Sequence, residues 1–194
     1  MRFKIVSSLI VTAALVPAFA HADGFSYSYL EGAYVNTDID NFDKDVDGFA
    51  LRGSFEITPH VFVFGNYANQ STSIFGSDVG LEQYQVGAGY AWPVASNIDL
   101  YGKAAYAHAQ LEVPGPNVDD DGYLLGVGMR GRLAQDFEID GSVNYMDLND
   151  SGDDTTFGIA ARYYFTPQFA AGLEGEFGSD ANTYGVNVRW NFGK

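Results

Sequence analysis

Arg52, Lys103, Arg130, Arg132, Arg162 and Arg189, set against Glu31, Glu56, Asp99, Glu138, Asp140, Glu174 and Glu176, are the residues whose chemistry stands out in this chain. Each lies in a stretch where large apolar side chains alternate with small or polar ones, and each takes the polar phase. A period of two sends successive side chains to opposite faces of a strand, so these cations and carboxylates are expected to share one face. Arginine clasps a carboxylate through two parallel N–H bonds. Charges taken out of water persist only when paired. The chemistry expected of this set is therefore mutual ion pairing in an interior.

Other candidate chemistry is thinner. Asp43-Lys44-Asp45-Val46-Asp47-Gly48 matches the opening of an EF-hand loop, but the bidentate Glu required at its twelfth position falls on Ser54. Asp38, Asp40, Asp43, Asp45, Asp119, Asp120 and Asp121 are retained as weak candidates for loose binding of a hard divalent cation through oxygen ligands. Of the histidines past residue 22, His60 falls in a turn. His108 falls near a strand end, where Ser73, Glu112 or Asp147 are candidate partners for hydrolytic work. No motif around Ala107-His108-Ala109-Gln110 supports that use, so no enzyme activity, catalytic residue or cofactor is expected. Cysteine is absent, which removes thiol and disulfide chemistry.

The elements that must carry these residues are ten alternating stretches near 25–37, 47–57, 61–71, 82–92, 97–110, 122–133, 137–147, 155–165, 169–178 and 183–192. Residues 1–22 read as a separate unit: Arg2 and Lys4, an apolar run from Ile5 to Val16, and the small-residue site Ala20-His21-Ala22. That is the pattern of a cleaved secretory signal peptide, leaving 23–194 as one domain. Its apolar run is too short to span a bilayer as a helix, and nothing later is longer. Any insertion must be by strands.

Alternation alone fits a soluble sandwich or lipocalin-like barrel as well, and composition decides between them. Past residue 22 the only lysines are Lys44, Lys103 and Lys194, too few for the solvated face of a soluble sheet. Tyr34, Phe49, Tyr67, Tyr84, Tyr106, Tyr123, Tyr145, Phe157, Phe177 and Tyr184 gather near one set of strand ends, and Phe55, Tyr90, Trp92, Phe137, Tyr163, Phe165, Trp190 and Phe192 near the other. These are expected to be two interfacial girdles. The fold expected is all-β, a transmembrane antiparallel up-and-down barrel of ten strands, with eight as the alternative.

Short connections at 58–60, 93–96, 134–136 and 166–168 are expected to be periplasmic turns. Longer, acidic ones at 38–46, 72–81, 111–121, 148–154 and 179–182 are expected to face outside. Without residues 1–22 the chain has eight basic and 25 acidic residues, so nucleic acid is not an expected partner. A ten-stranded barrel lies just above the size that side chains can fill and far below aqueous porins. A plugged, charge-paired lumen is therefore expected, in a monomeric structural or surface-interaction protein, with a narrow channel for small solutes or ions as the alternative. Expected partners are outer-membrane lipid and lipopolysaccharide, divalent cations at the outer acids, and the barrel-assembly machinery through Tyr184 to Phe192, where Trp190 and Phe192 fit its last-strand signal and Asn187 and the trailing Gly193-Lys194 depart from it.

The stretches Phe25-Ser26-Tyr27-Ser28-Tyr29-Leu30-Glu31-Gly32-Ala33-Tyr34-Val35, Val61-Phe62-Val63-Phe64-Gly65-Asn66-Tyr67 and Tyr84-Gln85-Val86-Gly87-Ala88-Gly89-Tyr90 resemble a family of small outer-membrane barrels of gamma-proteobacteria. The likeness is nearest to the diffusible-signal-regulated outer-membrane proteins of xanthomonads and more distant to OmpA/OmpX-type barrels. It implies location, fold and no enzyme activity, and transfers no site.

Overall fold

A computed structural model describes residues 25–40, 45–74, 77–112 and 117–192. The expected signal peptide, Asp43, Lys44, Gly193 and Lys194 lie outside them. Ten strands follow one another: β1 (Tyr29–Ile39), β2 (Val46–Glu56), β3 (Val61–Ile74), β4 (Ser77–Ala95), β5 (Ile98–Glu112), β6 (Val118–Ala134), β7 (Phe137–Leu148), β8 (Gly152–Tyr164), β9 (Phe169–Phe177) and β10 (Ala181–Asn191). Each pairs antiparallel with its chain neighbours, and β1 pairs with β10 to close the barrel. Closure leaves no sheet edge and satisfies the backbone internally, as lipid demands.

The faces follow the alternation. Leu51, Val86, Val127, Leu173, Val186 and Val188 point outward and are exposed, which is the inverse of a soluble core and the arrangement lipid favours. The anticipated girdle of Tyr34, Phe49, Tyr67, Tyr84, Tyr106, Tyr123, Tyr145, Phe157, Phe177 and Tyr184 has one member on each strand. Among the inward positions, Gly122, Gly126 and Gly128 of β6 leave room for the Asp147 carbonyl of β7 and for the Lys103 and Tyr101 side chains of β5. A Cβ on Gly122 would collide with the Asp147 carbonyl.

Tight turns, the start of β1 and the end of β10 occupy one end of the barrel. Thr58 and Thr166 build two of these turns alike: their Oγ1 atoms accept from the amides of Val61 and Phe169 at 3.1 and 3.0 Å, while the following Pro59 and Pro167 preset the bend. Pro93 does not belong to a turn. It lies inside β4, beside a register shift between Pro93 and Ala95, where a residue without an N–H is tolerated.

Three expectations about element ends need correction. The segments 72–81 and 111–121 are mostly strand, because β3 to β6 continue past the girdle to Ile74, Ser77, Glu112 and Val118. Polar residues on both faces there give no hydrophobic alternation to read. Asp119, Asp120 and Asp121 consequently lie on β6 and not in a loop. Residues 25–28 are not part of β1, although all four are buried.

Candidate functional site: the charged lumen

Glu31 is the centre of the lumen. It projects from β1 between its register partners Arg52 of β2 and Arg189 of β10, and both reach it: Arg52 Nη1 donates to Oε1 at 2.8 Å and Arg189 Nε to Oε2 at 2.8 Å. A third arginine comes from a strand that is not a neighbour. Arg162 of β8 donates through Nε to Glu31 Oε2 at 3.0 Å.

The network continues on both sides. Arg52 also clasps Glu174 of β9 at 2.6 and 2.9 Å, and Asn187 donates to the same carboxylate at 2.7 Å. On the other side, Arg162 and Arg189 each lie 3.8 Å from Glu138, which pairs with Arg130 and accepts from the Tyr164 hydroxyl at 3.2 Å. Arg52, Arg130, Arg162 and Arg189 are each at most 1% exposed. Full burial converts each pair into a structural necessity, since a lone buried charge is far costlier than the pair.

The remaining charges of the set are also inward and are held differently. Asp99 accepts from the Tyr27 hydroxyl at 3.2 Å, and Glu176 from Thr156 at 2.7 Å. Glu56 accepts from the Tyr27 amide at 3.3 Å. Arg132 lies over the Phe25 ring, 5.1 Å from its centroid. Asp140 is the register partner of Arg130. Lys103 packs over Phe64 at 5.7 Å, and its Nζ makes no hydrogen bond within the protein. A gap lined in part by Arg52, Asn66, Gln83 and Gln85 is about 10 Å³ in volume, room for roughly one water.

A second row of polar residues stands on the outward face just beyond the aromatic girdle. Tyr67 donates to Glu82 at 3.2 Å, Tyr123 to Asp147 at 3.1 Å and Asn36 to Asp47 at 3.0 Å. His108 Nδ1 lies 2.7 Å from Asp121 Oδ1, its ring stacks on Tyr84 at 4.7 Å, and Tyr106 donates to the same carboxylate. The bonds from His108 and then Tyr106 hold the Asp121 carboxyl below the usual carboxylate range. Asp121 was legible as the partner of His108 only through the β5–β6 register.

The weak metal candidates do not converge on β6. Asp120 points into the barrel and caps the amides of Asp150 and Ser151, while Asp119 and Asp121 point outward, so the strand pleat separates three consecutive carboxylates. Ser54, the position an EF-hand would give to Glu, is an inward strand residue whose Oγ donates to the Val63 carbonyl at 2.8 Å. Among the described residues no group of three or more His, Cys, Asp or Glu side chains is placed to hold a metal ion.

Residues 6–192 match the family of outer membrane protein β-barrel domains. The chain belongs to that family. It is an outer-membrane barrel with buried charge pairs inside, and in such barrels the tight turns are periplasmic. Among solved structures it is similar to the NanC porin, at 10% identity over 84% of this chain and 100% of that one, with a TM-score of 0.56. It is also similar to Ail, the attachment invasion locus protein of Yersinia pestis, at 18% identity over 86% and 97%, with a TM-score of 0.44, and to the KdgM porin, at 14% identity over 84% and 99%, with a TM-score of 0.48. At such identities the likeness speaks to fold alone. No curated protein matches the chain.

Proposed function

We propose that this protein is a non-enzymatic, non-conducting barrel of the outer membrane that acts through its outer surface. The observation that carries the reading is the convergence of Arg52, Arg162 and Arg189 on Glu31, which ties charges of β1, β2, β8 and β10 to one another across the lumen. Ions gain little by entering a lumen already neutralised, and the network would have to open for solute to pass. Ala33, Val35, Ala50, Ala68, Leu124 and Leu148 fill more of the interior beyond it.

In this reading residues 1–22 are removed on export and the barrel works as a monomer. The C-terminal strand, with Trp190 and Phe192 outward, is what the assembly machinery engages. The acids at the outer end, including Asp38, Asp40 and Asp45, face anionic lipopolysaccharide, and divalent cations shared with lipid phosphate would relieve that repulsion. The likeness to the diffusible-signal-regulated proteins of xanthomonads is consistent with an envelope role and assigns no ligand.

The runner-up, a narrow channel for small solutes or ions, is favoured by Lys103. Its ammonium has no protein hydrogen-bond partner, and water is the natural one to supply it. Single-channel recording in planar bilayers separates the two. The proposal expects silence over a range of salt and voltage; steady, salt-dependent conductance would replace it with the channel.

A further inference from the structure

Residues 25–28 do not continue the wall of the barrel. Phe25, Ser26, Tyr27 and Ser28 are all buried, Tyr27 at 1% exposure and Phe25 at 2%, at a barrel end that would otherwise open to the periplasm. Their contacts come from around the rim. Ser28 remains beside the closing seam, where its Oγ accepts from the Glu56 amide at 3.1 Å and its carbonyl from the Phe192 amide at 3.2 Å. Tyr27 then stacks on Phe62 of β3 at 4.8 Å, donates its hydroxyl to Asp99 of β5 and gives its amide to Glu56 of β2. Phe25 ends beneath Arg130 and Arg132 of β6, 4.7 and 5.1 Å from their guanidinium carbons. In a ring of ten strands β6 stands opposite β1, so four residues cross the mouth from wall to wall.

We propose that residues 25–28 are a latch closing the periplasmic mouth, and that the rim formed by Phe62, Asp99, Arg130 and Arg132 is its docking site. The chemistry is specific to an aromatic-x-aromatic segment. Two guanidinium groups lie over the Phe25 ring and favour an aromatic side chain there, and a ring beside a carboxylate takes a phenol at Tyr27 but leaves a plain phenyl without its hydrogen bond. A polar or aliphatic segment at these positions would leave the Arg130 and Arg132 faces uncovered. The latch meets the charge network at Arg130, which also pairs with Glu138, and none of its contacts is to Glu31, so the mouth can open while Glu31 stays held.

The chain contains no cysteine, which makes one introduced thiol a clean reporter. Ala91, 1% exposed and in the cluster that Phe25 and Tyr27 complete, is the position to use. In folded A91C protein, reaction with an anionic methanethiosulfonate reports how often the mouth is open. Adding F25A and Y27A should raise that rate by about tenfold or more, as expected when a locally stable segment is released. Adding F25W, which keeps an aromatic face for the guanidinium pair, should leave it near the A91C rate. A rise of less than about threefold in the F25A/Y27A background, with the heat-dependent gel shift retained, overturns the latch. If the double variant loses the gel shift, F25A alone is judged by the same threshold.

Discussion

Glu31 binds three buried guanidinium groups directly, those of Arg52, Arg162 and Arg189, and one carboxylate thereby compensates all three. Replacing it with Gln keeps its shape and removes its charge, so Arg162 and Arg189 would share only Glu138 at longer range. A loss of about 3–5 kcal/mol is expected, read as a lowered urea midpoint in lipid vesicles. Thr183→Val is the comparison: Thr183 is also buried, but it shares a hydrogen bond with the neutral hydroxyl of Thr37 at 2.8 Å, and a cost nearer 1 kcal/mol is expected. Equal losses at the two positions would remove Glu31 from its central place. The inward direction of all these charges was legible, because period two assigns faces residue by residue. The partners were less so. Arg52 with Glu31 follows from neighbouring strands, whereas Arg162 with Glu31 and Arg52 with Glu174 join strands that share no ladder, and nothing local in the sequence encodes which residues the closure of the barrel brings level.

Strands of this barrel are specified by what each face must avoid. An inward Cβ on Gly122 would meet the backbone of β7, which cannot yield without shifting a paired strand, while a Cβ on the outward Gly141 meets nothing within 4 Å. Gly122→Ala should therefore cost about 1–3 kcal/mol of stability, as overpacking does, and Gly141→Ala should change the thermal midpoint little. Similar shifts for both would show that the approach of β6 to β7 is not what holds Gly122. Strand number and the bilayer-level girdle were readable because apolar contrast between the faces is large there. It fades beyond the girdle, where β3 to β6 run on with polar residues on both sides, so strand there carries the sequence pattern of a loop. The opposite failure occurs at Phe25-Ser26-Tyr27-Ser28, whose alternation continues that of β1 although the backbone has left the sheet. Periodicity is blind to whether a ladder carries it, and here all four side chains are buried where strand alternation would expose two.

The molecule as a whole is two shells of opposite character, a lipid-facing apolar belt between two aromatic girdles and an interior of paired charge. Each shell makes its own prediction. Val188 faces outward between the girdles and is 57% exposed; Val188→Arg should cost about 2–4 kcal/mol in a bilayer and weaken the difference in migration between boiled and unboiled samples. Unchanged stability would mean that this face does not meet hydrocarbon. For the interior, the central claim is that charges on strands without a shared ladder, β2 and β9, are bound to each other through the lumen and tie its walls together. A double-mutant cycle on Arg52 and Glu174, with Arg52→Ala, Glu174→Ala and the double variant unfolded from vesicles of one lipid, measures that bond directly. Each single change leaves a buried charge short of its partner, so the double variant should recover part of the loss, with a coupling energy of about 1–3 kcal/mol. Strictly additive losses would contradict the account and make the lumen a hydrated passage lined by independently solvated charges.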